Sequence, residues 1–205
     1  VRELIEDTRE AVGDRAAVAT RFSVALDEPE TYDAFGLLAD LPDLWDLTVA
    51  DYSIEMGSSR FVKEGDFGDS IAHAKTLTDR PVVAVGRYTS PDTMAQALRT
   101  GQQDLIGAAR PSIADPFLPR KIDEGRTGDI RECIGCNICY AHDSLGVPIR
   151  CTQNPTMGEE WRLGWHPERV LPLVTRGSGA NRVGSSSGGE PSRVLVVGAG
   201  PAGLE

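Results

Sequence analysis

The first 129 residues alternate apolar runs with amphipathic stretches in a way that predicts parallel βα units. Apolar runs bounded by turn residues predict strands at residues 16–24, 44–50, 81–85 and 104–108. The first of these strands is predicted to end near Arg21. Helical spacing predicts helices at residues 1–12, 31–41, 67–77, 91–99 and 115–124. Strand, loop and helix repeated at regular intervals indicate an α/β fold with a parallel sheet.

Four such units correspond either to half of a (β/α)8 barrel or to most of an open, doubly wound sheet. A barrel carries its chemistry at the carboxyl ends of its strands. Polar residues are predicted at those ends in this chain, namely Arg21, Asp51, Arg87 and Arg110. We therefore favour the C-terminal half of a barrel over residues 1–129, with the other half upstream.

The rest of the chain divides into three segments of different composition. Residues 130–174 contain all the cysteines, and residues 175–191 form a Gly/Ser-rich linker that is too polar to pack a core. Residues 192–205 comprise a Val-rich strand followed by a glycine turn built on Gly198, Gly200 and Gly203. A G-x-G-x-x-G turn after such a strand predicts the start of a Rossmann-like nucleotide-binding domain, with a plain glycine-rich turn as the alternative.

Composition narrows the function classes. The chain has 205 residues, a net charge of −10 and 40% hydrophobic residues, enough for one core and part of a second. The acidic balance, without any run of Lys or Arg, argues against a nucleic-acid or membrane surface. The sequence opens on Val1 without a Met and stops at Glu205, where a helix should begin, so we expect a fragment of a longer protein.

The cysteines carry the most specific signal in the sequence. They fall within nineteen residues at the spacing C-x2-C-x2-C-x11-C and are Cys133, Cys136, Cys139 and Cys151. Three thiolates on one turning loop with a distant fourth suit the corners of a [4Fe–4S] cube. Structural zinc sites more often use two separated C-x2-C pairs, and zinc remains the alternative. Gly135 and Asn137 suit the tight turns that such a loop requires.

A second group of residues predicts a phosphate site. Five residues are predicted near strand ends, namely Arg21, Gly86, Arg87, Gly107 and Arg110. In a barrel, the loops after the last two strands commonly hold a cofactor phosphate. The alternative is that each arginine is a surface or salt-bridged residue, but their repeated placement favours the phosphate site. His73 is predicted to be structural, and Trp161 and Trp165 to pack over the cysteine segment.

Several motifs resemble the trimethylamine dehydrogenase family, the amine-oxidising relatives of old yellow enzyme and of bacterial 2,4-dienoyl-CoA reductase. The most specific are C-I-G-C-N-I-C at 133–139, C-T-Q-N at 151–154, G-E-E-W at 158–161 and G-W-H-P at 164–167. Further matches are G-R-Y at 86–88, A-R-P-S-I-A-D-P at 109–116 and the glycine turn at 198–203. The resemblance spans nearly the whole chain.

The resemblance implies an FMN-binding (β/α)8 barrel, a [4Fe–4S] cluster beside it and Rossmann-like nucleotide domains after it. Arg21 would face the flavin ring, where a cation stabilises the reduced isoalloxazine. The FMN phosphate would be held by Gly86, Arg87, Gly107, Ala108 and Arg110. ADP or FAD would bind at the glycine turn. The family encloses cationic substrates in an aromatic bowl, whereas this chain has Tyr140-Ala-His-Asp143 after Cys139, without a Trp.

The leading hypothesis is an FMN- and [4Fe–4S]-dependent oxidoreductase that oxidises a small N-methylated or other amine. Electrons would pass from FMN to the cluster and on to an electron-transferring flavoprotein. The alternatives are an NAD(P)H-dependent enoate or 2,4-dienoyl-CoA reductase of the same architecture and a non-catalytic electron-transfer module. The expected location is cytoplasmic, and a homodimer is one option for the assembly.

Overall fold

The computed structural model describes residues 1–25, 27–49 and 59–163. Within these residues a parallel sheet has the order β1-β2-β3-β4. Its strands are β1 (Ala19–Val24), β2 (Leu44–Val49), β3 (Val82–Val85) and β4 (Leu105–Gly107). Each new strand is added on the same side of the last, as in a barrel, whereas a doubly wound sheet reverses direction at a switch point. The predicted α/β fold with a parallel sheet is confirmed.

The helices in this part of the chain lie close to the predicted positions, with additions. They are α1 (Arg2–Val12), α2 (Pro29–Gly36), α3 (Gly68–Lys75), α4 (Pro91–Arg99), α5 (Ala109–Ala114), α6 (Leu118–Asp123), α7 (Ile138–Ser144) and α8 (Glu160–Leu163). Short 3₁₀ turns occur at Gly13–Arg15 and Thr127–Asp129. Pro29 and Pro91 stand at the first position of α2 and α4, where the missing N–H costs no helical hydrogen bond.

Several predicted boundaries are wrong: β1 begins at Ala19 and not at residue 16, and α2 ends at Gly36 and not at residue 41. The first strand continues to Val24, because its backbone pairs in register with β2 as far as Val49, so Arg21 lies inside the strand. The helix predicted from residue 115 begins only at Leu118. Asp115 has an extended backbone, with φ −135° and ψ 96°, and a residue that precedes a proline is disfavoured in helices.

One face of the sheet forms the main core. Alternate strand residues point toward the helices, and the fully buried side chains include Trp45, Leu47, Val82 and Ala84. Phe35 of α2 packs against Trp45 with ring centroids 4.7 Å apart, and the Trp45 indole N–H donates to the carbonyl of Ala39 at 2.8 Å. This packing fixes the strands, and through them the loops that follow β3 and β4.

A second, smaller core covers the C-terminal side of the sheet. It is formed by Tyr88, Met94, Ala97 and Leu118. Beside it lies a buried ion pair, in which Lys121 Nζ donates to Asp115 at 2.7 Å and to the carbonyl of Asp129 at 2.8 Å. Asp115 also accepts the backbone N–H of Arg131 at 3.0 Å, so this pair attaches the start of the cysteine segment to α5 and α6.

Among the described residues no helix is long and apolar enough to cross a membrane. The Gly/Ser-rich linker at 175–191 and the predicted nucleotide-binding start at 192–205 lie outside the described residues.

Candidate functional site

A cavity of about 490 Å³ lies at the carboxyl edge of the sheet. Its walls combine residues of the strands and strand ends with residues of α5, α7 and the cysteine segment. The lining residues are Arg21, Thr48, Phe67, Val85, Gly86, Arg87, Gly107, Ala109, Arg110, Pro111, Ile113, Asn137, Cys139, Tyr140, Asp143 and Ile149. The cavity therefore brings the predicted phosphate residues and one of the predicted cluster cysteines to a common wall.

Gly86 and Gly107 let the loops at this edge approach each other closely. A Cβ on Gly107 would lie 2.9 Å from Val85 Cγ1 and 3.1 Å from the carbonyl oxygen of Ala84. A Cβ on Gly86 would lie 3.1 Å from the Cα of Gly65, whose N–H donates to the Gly86 carbonyl at 2.8 Å. Any larger residue would push the strand ends apart and reshape the cavity.

Arg87 follows β3 directly, as predicted, and extends its guanidinium toward the cysteine segment. One terminal nitrogen donates to the carbonyl of Cys133 at 3.0 Å, and the other donates to the carbonyl of Val62 at 2.8 Å. Its Nε–H is buried without a hydrogen-bond partner. Arg87 has φ 55°, a left-handed conformation that a non-glycine residue adopts only when its surroundings hold it there.

Arg110 makes a similar contact from the second residue of α5. Its guanidinium donates to Asn137 Oδ1 at 2.5 Å. Asn137 has φ 60° and precedes the first residue of α7. Asn tolerates the left-handed region better than other non-glycine residues, which explains its place between two cysteines. The predicted tight turn at Asn137 is confirmed.

Arg21 lines the cavity from the middle of β1 rather than from a strand end. Its Nε donates to Asp46 of β2 at 2.8 Å, and the two residues are register partners in the sheet. The side chain is 63% exposed on the open face of the sheet, opposite the main core. Ala108 is not part of the lining and packs against the second core instead, while its neighbour Ala109 reaches the cavity.

The cysteine loop is held against two earlier loops by its backbone. Gly135 has φ 67°, and a Cβ there would lie 2.6 Å from the nitrogen of Arg60, whose N–H donates to the Gly135 carbonyl at 3.0 Å. The N–H of Cys133 donates to Thr89 Oγ1 at 3.1 Å. The predicted turn at Gly135 is confirmed, and only glycine satisfies both its conformation and this close approach.

None of the four cysteines forms a disulfide in this structure. Burial raises the pKa of the Cys133 and Cys139 thiols, and the negative charge of Cys151 raises both further. Arg110 acts in the opposite direction on both. The mutual effects mean that Cys133, Cys139 and Cys151 lie within electrostatic reach of one another.

Polar groups near the sulfurs complete the surroundings of the cysteines. Thr152 Oγ1 lies 3.2 Å from Cys136 Sγ, and the N–H of Gln153 donates to Cys151 Sγ at 3.4 Å. In the described part of the chain no three His, Cys, Asp or Glu side chains are arranged to hold a metal ion. The assignment of a cluster therefore depends on the donor set, four thiols at cluster spacing, and on the resemblance.

The arrangement of charges fits a phosphate. Among the described residues, the lining includes three arginines (Arg21, Arg87 and Arg110) and one acidic residue, Asp143. The buried Nε–H of Arg87 is a donor without an acceptor, and such a group is costly unless a ligand satisfies it. Guanidinium groups match phosphate oxygens in geometry as well as charge.

A family model described as "NADH:flavin oxidoreductase / NADH oxidase family" matches residues 1–129. The chain belongs to this family. The match covers the same residues that were predicted to form the flavin barrel, and it agrees with the parallel sheet and the cavity at its carboxyl edge.

Individual relatives and solved structures extend the likeness beyond the sheet. Dimethylamine dehydrogenase of Hyphomicrobium sp. (strain x) is 44% identical over 216 aligned positions, which cover 99% of this chain and 27% of that protein. The solved structure of 6-hydroxypseudooxynicotine amine oxidase from Pseudomonas geniculata N1 is 52% identical, with a TM-score of 0.78, covering 84% of this chain and 27% of that one. Histamine dehydrogenase from Rhizobium sp. 4-9 is 50% identical, with a TM-score of 0.75, covering 82% and 25%.

The predicted resemblance to the amine dehydrogenases is confirmed by these matches. The chain spans about a quarter of the length of these relatives. Gly198, Gly200 and Gly203, predicted to bind a nucleotide, lie outside the described residues, as does Asp51.

The placements of several further residues can be compared with the predictions, and one contact was not predicted. His73 is structural, as predicted, and packs edge-on against Tyr32, with the ring centroids 4.5 Å apart. Trp161 is 84% exposed, so its predicted packing over the cysteine segment is wrong, and Trp165 lies outside the described residues. The contact between Asn137 and Arg110 was not predicted, because 27 residues separate the two and no local pattern links them.

Proposed function

We propose that this protein is an FMN- and [4Fe–4S]-dependent oxidoreductase that oxidises a small N-methylated or other amine. Electrons would leave through the cluster to an electron-transferring flavoprotein. The observation that carries the proposal is the cavity itself, because Cys139 lines the same space as Gly86, Arg87, Gly107 and Arg110. A flavin held by the arginines would thus lie beside the cysteine loop.

Arg87 and Arg110 are the residues that would hold the FMN phosphate, and Arg21 would lie against the flavin ring. The unpartnered Nε–H of Arg87 supports this role, as does the concentration of positive charge in the cavity. Cys133, Cys136, Cys139 and Cys151 would ligate the cluster. Bound FMN would supply two-electron chemistry, and a bound cluster would pass electrons one at a time.

An amine substrate is supported by the relatives and by the cavity wall. The compared proteins are a dimethylamine dehydrogenase, a histamine dehydrogenase and an amine oxidase. Tyr140 and Asp143 line the cavity on one face of α7. An aromatic ring and a carboxylate three residues apart on a helix both attract a small cation. ADP or FAD at Gly198, Gly200 and Gly203 and a homodimeric assembly belong to the same proposal.

A second candidate is reduction of an enoate or dienoyl-CoA substrate with electrons from NAD(P)H. The description of the matching family model, which names NADH, favours it. The two candidates use the same cavity in opposite directions, so the electron donor that reduces the flavin distinguishes them. A non-catalytic electron-transfer module has less support, because a relay needs no cavity of about 490 Å³ beside its cysteine.

The proposal is tested by removing one cysteine in the full-length protein. Cys136→Ala should abolish the iron–sulfur absorption and the EPR signal while the flavin is still bleached by an amine. Ile134→Ala in the same loop is the control, since Ile134 is half exposed and is not a ligand. Undiminished iron in Cys136→Ala would contradict the ligand assignment, and bleaching by NADPH but not by amines would select the reductase.

A further inference from the structure

We propose that Arg87 and Arg110 are positioning residues that couple the flavin phosphate site to the cysteine loop, so that flavin binding stabilises the cluster. This inference rests on the proposed function, since it needs both groups. Each arginine lines the cavity and also holds part of the loop that carries the first three cysteines. The two binding sites therefore share side chains as well as a wall.

The Arg87 contact fixes the peptide of the first cysteine. Its two terminal nitrogens donate to the carbonyls of Cys133 and Val62, and its Nε–H is buried and unsatisfied in a residue that lines the cavity. A guanidinium is planar, so one orientation serves all three directions at once. A phosphate that accepts from Nε–H would hold the plane of the guanidinium, and with it the carbonyl of Cys133.

The Arg110 contact fixes the second part of the loop. Its guanidinium donates to Asn137 Oδ1 at 2.5 Å, and Asn137 stands between Cys136 and Cys139 in the chain. The backbone at Asn137 is left-handed, with φ 60°, and it sets the direction in which α7 begins with Ile138 and Cys139. An anion that anchors Arg110 would therefore also anchor the start of α7.

These shared contacts make the coupling reciprocal. If bound flavin raises the affinity of the protein for the cluster by some factor, an assembled cluster raises the affinity for flavin by the same factor. A cluster that is held more tightly is expected to be lost more slowly. Side chains that merely stabilise the fold would slow cluster loss equally with and without flavin. The ratio of the two rates therefore separates positioning from a general structural role.

The experiment measures iron release to a chelator from the full-length protein, with flavin bound and after expression under riboflavin limitation. In the wild type, flavin should slow iron release about tenfold, within the range of ordinary couplings between sites. Asn137→Gly removes the oxygen that Arg110 contacts, and glycine accepts φ 60° without strain. The protection ratio is the rate of iron release without flavin divided by the rate with flavin. It should fall toward one in Asn137→Gly. The same result is expected in Arg110→Lys, which keeps the positive charge but lacks the planar arrangement of donors that a guanidinium provides.

Arg99→Lys is the matched control. Arg99 is exposed at the end of α4, so this substitution should leave the protection ratio unchanged. An iron-loaded wild type with a ratio of one would overturn the coupling and leave the proposed function intact. A protection ratio in Asn137→Gly and Arg110→Lys equal to that of the wild type would also overturn the coupling and leave the proposed function intact. A full-length protein without iron would overturn both the coupling and the proposed function.

Discussion

At the scale of single residues, the absence of a side chain at two strand ends sets the shape of the cavity. Gly107 ends β4 against Val85 and Ala84 of β3, and Gly86 lies against the loop that contains Gly65. Both glycines have little space for a Cβ, although neither has a positive φ. A larger residue at either position would therefore clash with its neighbours and distort the cavity wall that faces the predicted phosphate.

Gly107→Ala should lower the flavin content of the full-length protein severalfold, because its Cβ would lie 2.9 Å from Val85 Cγ1 and force β3 and β4 apart. Flavin per polypeptide, measured by absorption, checks this. Gly36→Ala is the control, since no heavy atom lies within 4 Å of a Cβ there. Equal flavin content in the wild type and Gly107→Ala would show that the strand ends tolerate the methyl group.

The hydroxyl of Thr152 is the basis of a second prediction about a single side chain. Its hydroxyl lies 3.2 Å from Cys136 Sγ, and a hydrogen bond to a ligating sulfur stabilises the more negative, reduced cluster. Thr152→Val should therefore lower the midpoint potential of the cluster, by ~40 mV for a bond of about 1 kcal/mol. An EPR-monitored redox titration measures the shift, with Thr8→Val on the surface of α1 as the control. A raised or unchanged potential would contradict the donor role of the hydroxyl.

At the scale of elements, the buried pair of Asp115 and Lys121 joins α5, α6 and the cysteine segment. Burial alone would raise the pKa of Asp115, but the hydrogen bonds from Lys121 and from the N–H groups of Arg131 and Phe117 outweigh it and lower this pKa. The side chains are 1% and 5% exposed, so neither charge is compensated by water. Such a pair is costly to break from one side.

Lys121→Met should reduce the free energy of unfolding by about 3–5 kcal/mol at neutral pH, because it leaves the Asp115 carboxylate buried without its cation. Chemical denaturation measures the loss. Arg120→Met, on the same helix, removes the exposed pair with Glu124 and should cost less than about 1 kcal/mol. Equal losses in the two variants would mean that the buried pair contributes no more than a surface pair.

The lowered pKa of Asp115 also fixes the sign of the pH dependence. The stabilisation is present above the unfolded carboxyl pKa of about 3.9 and is lost as pH falls through the lower folded value. In Lys121→Met the carboxyl protonates more readily, so the difference between the variant and the wild type should narrow in acid. Unfolding measured from pH 7 down to about pH 3 checks the direction.

The elements that the sequence predicts well are those with long, regular patterns. Apolar runs located all four described strands, and Pro91 marks the predicted start of α4. The helix predicted from residue 31 begins slightly earlier, at Pro29. The short helices α5 and α7 were missed, because six or seven residues carry too little periodicity and depend on tertiary contacts. The contact between Arg87 and Cys133 spans 46 residues, so it follows from the folded chain rather than from any local motif.

At the scale of the whole molecule, the central feature is the meeting of two separate sequence signals at a common cavity. The strand-end residues Gly86, Arg87, Gly107 and Arg110 belong to the segment matched by the flavin oxidoreductase family, and Cys139 belongs to the segment beyond it. Each signal was recognisable alone, from glycine and arginine placement and from cysteine spacing. In the proposed function, this proximity would make a flavin and a cluster parts of one electron path.

The most direct test of this path is an anaerobic titration of the full-length protein with a small methylated amine, followed by absorption and low-temperature EPR. If the path exists, the amine should bleach a flavin band and a reduced iron–sulfur signal should appear as the flavin is bleached. A protein that binds flavin but contains no iron, or whose cluster stays oxidised while the amine reduces the flavin, would contradict it.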